Sequence, residues 1–248
     1  MAQARTLAIG DIHGGFKALE QVLLRAQISD SDTLIFLGDY VDGWSDVYDL
    51  VEWLMTYQQL HKERCILLKG NHDDWCEKWL RTNVEDDYKR KHGAQSTYDS
   101  YAHVSSEVRS KHLNFFEKMK LYHIDNKNRL FVHAGFTSEY GPAKEYVPSY
   151  LFNDRTLWEM VISLGRTITK DSPYFPKRMK LFHEVFIGHT PVTDYGHTTP
   201  MNILNLWNLD TGAAFNGKLT VMDVDSKQYW QSDIVSGLYP NEAGRKRG

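Results

Sequence analysis

An α/β fold with a β-rich C-terminal third is predicted by two observations. Five short apolar runs, Thr6–Ile9 and residues 33–37, 65–69, 130–132 and 185–187, are too short for helices, and each is followed at once by glycine or histidine. Continuous apolar runs of this length suit strands buried on both faces. Helical periodicity fills the gaps between the first three runs. The order β-α-β-α-β then calls for a parallel core with right-handed crossovers.

Taken in order, Thr6–Ile9 is the first strand, and Leu19, Val22, Leu23 and Ala26 recur at helical spacing after it. Residues 33–37 form the second strand, followed by Val47, Leu50, Val51, Leu54 and Met55 on one helix face. Residues 65–69 are the third, with a helix over 73–80. The polar stretch 83–104 is expected to be a helical insertion or cap. Val108, Leu113, Phe115, Phe116 and Met119 mark a helix over 107–119 that leads back to the core.

Residues 136–153 hold Gly141, Pro142 and Pro148 and predict a long loop. Strands are expected at 203–206, 219–224 and 228–231, the last two joined by a turn at Asp225-Ser226. No repeat, linker or low-complexity tract divides the chain, so residues 1–248 are expected to form one domain. Arg245-Lys246-Arg247 would end it as a solvated, flexible tail.

With 248 residues, seven Trp and fourteen Tyr, the chain can bury a large core. A net charge of −3 leaves no global field to hold nucleic acid or an anionic membrane. Two cysteines, Cys65 and Cys76, form neither a disulfide framework nor a metal-type spacing. No apolar stretch approaches the length of a membrane span. A cytoplasmic protein is the expectation, and oligomeric state leaves no trace.

The chemistry gathers at the strand ends. Gly10-Asp11-Ile12-His13-Gly14, Gly38-Asp39-Tyr40-Val41-Asp42-Gly43, Gly70-Asn71-His72-Asp73, Val132-His133-Ala134-Gly135 and Gly188-His189-Thr190 lie where open α/β sheets place ligands. Together they supply two carboxylates, an amide and three imidazoles, enough for two divalent cations that share a carboxylate. Taken singly each run is weak; Gly70-Asn71-His72-Asp73 alone would suit a turn. Five in order at strand ends are not a coincidence.

In that order the chain resembles the phosphoprotein-phosphatase branch of the calcineurin-like metallophosphoesterases, over roughly residues 10 to 190. The resemblance implies a four-layer fold, a β-sandwich of two mixed sheets flanked by helices. By position it assigns Asp11 and His13 to one metal, Asp39 to a bridge between two, and Asn71, His133 and His189 to the second. Oxygen and imidazole donors suit manganese, with iron or zinc as alternatives. His72 would be the general acid that protonates the leaving oxygen, oriented by Asp42. The N-terminus of the first helix, after His13-Gly14-Gly15, would add to anion binding.

The chain also departs from that pattern. The family run continues Asp-Arg-Gly, with an arginine set against the substrate phosphate, whereas Gly43-Trp44 follows Asp42 here. Arg155, Arg166 and Arg178 lie in segments that would border the site, and Arg155 is the preferred replacement. Trp44 would either open the next helix as an apolar staple or stack on a substrate ring. Asp73 stands where protein phosphatases carry glutamate and dinucleoside-tetraphosphate hydrolases carry aspartate. Leu209-Asp210-Thr211-Gly212 resembles a run of bacterial members that braces the site.

The resemblance implies a phosphatase acting on phosphomonoesters, foremost phosphoserine, phosphothreonine or phosphotyrosine on protein, by direct attack of hydroxide held between the metals. The substrate would be a phosphoprotein or a small phosphorylated molecule, with no nucleic-acid or membrane partner. A symmetrical dinucleoside-tetraphosphate hydrolase is the first alternative and an inactive metal-binding scaffold the second.

Overall fold

Alternation along the strands sorts their side chains into separate layers. In the first strand, β1 (Thr6–Ile9), Leu7 and Ile9 point to one side and Ala8 to the other; in the second, β2 (Thr33–Phe36), Leu34 and Phe36 are separated from Ile35 in the same way. The computed structural model describes residues 4–165 and 168–246.

Between and after these strands come α1 (Phe16–Ala26), α2 (Val47–His61), β3 (Cys65–Leu67) and α3 (Asn71–Thr82). Strands β1, β2 and β3 pair in parallel. The buried face of α1 is Ala18, Leu19, Val22, Leu23 and Ala26, and that of α2 is Val47, Leu50, Val51 and Leu54, as the periodicity requires. Met55 is only partly covered. The segment after α3 is helical: α4 (Asp87–Lys89), a π-type turn over Arg90–Ala94, and α5 (Gln95–Ser100). Then α6 (Ser106–Glu117), capped by Ser105, returns to the core.

The second sheet is built from β4 (Tyr122–Ile124) and β5 (Arg129–Val132), then, after α7 (Tyr150–Asn153), α8 (Thr156–Leu164) and α9 (Lys177–Lys180), from β6 (Glu184–Ile187), β7 (Met201–Ile203) and β8 (Leu206–Asn208). Its order is β4-β5-β6-β8-β7, with β5, β6 and β8 parallel. The chain then crosses back. Strands β9 (Thr220–Asp223) and β10 (Tyr229–Gln231) extend the first sheet on its β1 edge, and α10 (Val235–Leu238) follows. Each sheet therefore mixes parallel and antiparallel pairs.

The two sheets face each other across Ala8, Ile35, Leu37, Phe131, Phe186, Leu209 and Met222, with Phe131 stacked on Phe186 at 5.0 Å. Outside the first sheet lies the core of α1 to α6; outside the second lies that of Phe136, Leu151, Trp158, Val161 and Met179. This is the expected sandwich of two mixed sheets flanked by helices.

Three details correct the sequence reading. The strand expected over 203–206 is the turn of a hairpin, because Leu204 (φ 55°) and Asn205 separate β7 from β8. Strand β4 was not foreseen, since Tyr122-His123-Ile124 is half-exposed and shows no alternation to read. The loop over 136–153 contains a short 3₁₀ turn and α7. Among the described residues no helix is long and apolar enough to cross a membrane.

Candidate active site

All five motifs fall at the C-terminal ends of parallel strands of the two sheets, and backbone bonds lock them together. Ile12 and His13 donate to the Asp39 carbonyl at 3.0 and 2.9 Å, Trp44 donates to the His13 carbonyl at 2.8 Å, and Gly188 donates to the His133 carbonyl at 2.8 Å. Four site residues take the left-handed conformation: His13 (φ 52°), Asp39 (φ 54°), Asp42 (φ 66°) and His189 (φ 68°). Residues of these types tolerate that region best, at roughly 1–3 kcal/mol each, and such outliers concentrate where a side chain must be aimed.

Asp39 is the centre. Its Oδ2 lies 3.5 Å from His13 Nε2 and 3.4 Å from His133 Nε2. Its Oδ1 accepts the His72 backbone N–H at 2.9 Å, the positive end of α3. Asn71 Oδ1 lies 2.9 Å from His189 Nδ1 and 3.3 Å from His133 Nε2. Asp11 Oδ2 is 4.0 Å from His13 Nε2 and accepts the His189 N–H at 3.0 Å.

The 3.4–4.0 Å separations of Asp39 from His13 and His133 and of Asp11 from His13 are too long for good hydrogen bonds and match donors gathered about a common cation with bonds of about 2.0–2.2 Å. His13 and His133 each turn Nδ1 to a backbone carbonyl (Val41 and Asp42, and Leu37), which fixes the ring with Nε2 toward Asp39. Two groups of ligand-type atoms, His13-Asp39-His72 and Asp39-His133-His189, are compact enough to hold a metal.

Two further observations fit metal binding. Asp11 Oδ1 and His189 Nε2 are buried with no hydrogen-bond partner in the protein. Glycine is required beside the carboxylates: a Cβ on Gly188 would sit 2.0 Å from Asp11 Oδ1, and one on Gly70 would sit 2.1 Å from Asp39 Oδ1.

The charges are tightly opposed. Burial holds His13 and His189 well below the usual imidazole range. Burial would lower His133 too, but Asp39 and Asp11 push it up to about 10. Asp39, despite burial, is drawn well below the carboxylate range by His133 and His72. Asp11 is raised by burial and by Asp210.

Beside this cluster, His72 Nδ1 meets Asp42 Oδ2 at 2.8 Å, with both residues buried. Thr97, from α5, grips Asp42 twice: its Oγ1 donates to Oδ1 and accepts the Asp42 N–H at 3.1 Å. No sequence signal marked Thr97, because a lone threonine in a polar helix has no pattern. Asp73 is not at the reacting centre. It accepts N–H bonds from Asp39, Tyr40 and Gly70 at 2.8, 2.9 and 2.8 Å and so ties the second loop to the start of α3. Asp210 is buried near Asp11 and accepts the Gly212 N–H at 3.0 Å.

Several expectations need correcting. The amides opening α1 are occupied by protein acceptors: Gly14 by Tyr40, Gly15 by Ile12, Phe16 by Gly14 and Lys17 by the Tyr239 hydroxyl. They leave no anion site there. Trp44 touches no substrate space; it is fully buried, donates to the Ala213 carbonyl at 2.8 Å and stacks on Tyr239 at 5.2 Å. Arg178 is bound to the Phe136 carbonyl, and Arg166 lies outside the described residues. Arg155 does line the pocket over the cluster, a cavity of about 230 Å³ that also takes in Asp39, Asn71, His72, Trp75 and His189. Arg245 lines it too and is half-buried rather than solvated, whereas Lys246 is exposed and Arg247 is not described.

A sandwich that opens parallel strand ends onto a buried cluster of carboxylates and imidazoles defines a metal-dependent phosphoric ester hydrolase. Residues 4–219 match the family model described as calcineurin-like phosphoesterase, and the chain belongs to that family. A bis(5'-nucleosyl)-tetraphosphatase PrpE [asymmetrical] of Bacillus cereus strain Q1 is 27% identical over 245 residues, covering 92% of each chain. Among solved structures, a putative diadenosine tetraphosphatase superposes with a TM-score of 0.60 at 18% identity, over 92% of each chain. A cold-active protein-tyrosine phosphatase of a Shewanella species gives 0.58 at 14%, over 94% and 81%. These two likenesses concern the fold.

Proposed function

We propose that the protein is a dinuclear-metal phosphatase that hydrolyses phosphomonoesters, with phosphoserine, phosphothreonine or phosphotyrosine on protein as the leading substrates. The supporting observation is the His72–Asp42 contact at 2.8 Å beside the ligand cluster. A serine or threonine alkoxide is a poor leaving group and needs a positioned proton donor, whereas a nucleotide phosphate leaves readily.

Asp11, His13, Asp39, Asn71, His133 and His189 would hold two divalent cations, manganese by preference. Those ions would supply an acidified water and positive charge against the phosphoryl oxygens. The protein's own part is positioning. Asp42 and Thr97 hold the His72 ring through Nδ1, so Nε2 is the atom that delivers a proton to the departing oxygen. Asp73 and the glycines fix the carboxylates, and Arg155 stands over the pocket to meet phosphate oxygens. Two free, buried thiols and the modest net charge support a cytoplasmic enzyme without a nucleic-acid partner.

A second reading is hydrolysis of dinucleoside tetraphosphates. It is favoured by the PrpE relatives, whose name specifies asymmetrical rather than symmetrical cleavage. A cavity of about 930 Å³ that includes Arg90, Lys91, His92 and Lys246 adjoins the site pocket through His92 and offers room for a nucleotide.

A manganese-supplemented panel of phosphopeptides, diadenosine tetraphosphate and a phosphodiester decides between them by kcat/KM. Phosphopeptides should lead. A tetraphosphate preferred tenfold or more would establish the second reading, and turnover of none would overturn both.

A further inference from the structure

An arginine at position 43 is not simply missing. The backbone there bars one: a Cβ on Gly43 would lie 2.7 Å from the His13 carbonyl oxygen and 3.0 Å from His13 Cβ. Any phosphate-binding guanidinium on that side of the site must come from another part of the chain.

The C-terminal segment reaches that place and is fastened there. Tyr239 stacks on Trp44, donates to Asp46 Oδ2 at 2.7 Å and accepts the Lys17 N–H at 3.1 Å. Glu242 accepts from the Ser45 N–H at 2.9 Å and from its hydroxyl at 2.7 Å. Gly244 passes so close to the Trp44 ring that a Cβ would sit 2.7 Å from Cζ2. The Arg245 N–H then donates to the Ala214 carbonyl at 2.8 Å. Trp44, which stands in place of the family's glycine, is thus one of the residues that anchor the tail, together with Ser45 and Asp46.

From that anchor the Arg245 side chain runs between the turn joining α4 to α5 and the Asp42 loop. Gly93, in the left-handed region at φ 105°, makes room for it, since a Cβ there would meet Arg245 Cγ at 2.8 Å. The guanidinium lies over the Phe215 ring at 5.3 Å and, among the described residues, pairs with no carboxylate. Its Nε is buried without a partner, and the side chain lines the same pocket as Asp39, Asn71, His72 and Arg155. A guanidinium on an anchored backbone, paired with no carboxylate among the described residues and lining the pocket of a cluster of metal-ligand type, is set to receive an anion. Residue 245 also lies beyond the part of the chain that matches the family model.

We propose that Arg245, carried in by the C-terminal segment, grips the substrate phosphate together with Arg155, taking over the task that position 43 cannot perform. The proposal rests on the phosphatase reading above, but its test does not depend on turnover.

Full-length wild type, Arg245→Gln and Arg245→Lys would be compared in equilibrium dialysis with radiolabelled inorganic phosphate in the presence of manganese. Metal content and thermal midpoint would be recorded alongside, together with KM and kcat on p-nitrophenyl phosphate. Loss of charge-assisted hydrogen bonds should weaken phosphate binding and raise KM about 10- to 100-fold in Arg245→Gln. Kcat should change less, metal content and melting should stay as in wild type, and Arg245→Lys should recover part of the binding. Unchanged phosphate affinity in Arg245→Gln would overturn the proposal, as would a loss explained by lower melting and shared by Arg245→Lys. A wild type that binds phosphate but turns over no monoester would refute the proposed activity while leaving the role of Arg245 decided by the binding comparison. No phosphate binding by wild type would overturn both.

Discussion

His72 Nδ1 and Asp42 Oδ2 lie 2.8 Å apart, joined across two loops that leave neighbouring parallel strands. The contact leaves Nε2 as the only ring nitrogen able to serve the substrate. His72→Asn should therefore retain its metal yet slow alkyl phosphates by about 10²- to 10⁴-fold, and p-nitrophenyl phosphate far less. Equal losses on both substrates would remove the assignment of His72 as acid.

Thr97 holds Asp42 from α5. In Thr97→Val the buried Asp42 N–H loses its acceptor and Oδ1 loses a donor, at a cost of roughly 1–3 kcal/mol. Lower urea resistance and slower turnover of alkyl phosphates should appear together. A variant that matches wild type in both would show that α5 does not brace the pair.

Asp73 accepts three backbone N–H groups while burial and the facing Asp39 charge push it up to about 7. Asparagine at 73 offers one oxygen in place of two and turns an NH₂ group toward backbone donors. Above about pH 7, where the carboxylate is ionised, Asp73→Asn should lose about 1.5–3 kcal/mol for each charge-assisted bond broken, read from urea denaturation, and bind manganese less tightly. Undiminished stability would mean that the loops hold their shape without it.

The raised pKa of His133, about 10 against an ordinary 6.5, fixes a sign. In protein stripped by chelator, stabilisation from protonated His133 is complete below about pH 6.5 and fades as pH rises through about 10. A cation must displace that proton, so loading at pH 7 should release about one proton and affinity should rise with pH. Calorimetry in buffers of different ionisation enthalpy measures the release, and uptake without any would contradict the charge state.

Glycine substitutions separate crowding from open space. Gly70→Ala places a methyl 2.1 Å from Asp39 Oδ1 and should abolish metal uptake measured by elemental analysis. Gly237, in α10, has nothing within 4 Å of an added Cβ, so Gly237→Ala should gain about 0.4–1 kcal/mol by limiting the unfolded chain. Normal metal content in Gly70→Ala would show that the Asp39 loop can yield.

By itself the sequence determined the five strands that end in motifs and the two main helix faces, and it pointed to six ligand candidates, because each rests on short-range pattern: apolar runs of strand length, periodicity of helix length, and a glycine within two residues of each candidate. Asp11, His13, Asp39, Asn71, His133 and His189 could all be picked out before any fold was drawn. The hairpin of β7 and β8 and the roles of Thr97, Trp44 and Arg245 could not. They depend on contacts between residues far apart in the chain, such as Trp44 with Tyr239 and Thr97 with Asp42, and no local period encodes these. Only the tertiary structure showed that Gly43 is glycine because His13 fills the space beside it. Only the tertiary structure turned an apparent basic tail into a wall of the site, since burial and backbone anchoring hold Arg245 where its charge alone would have left it in water.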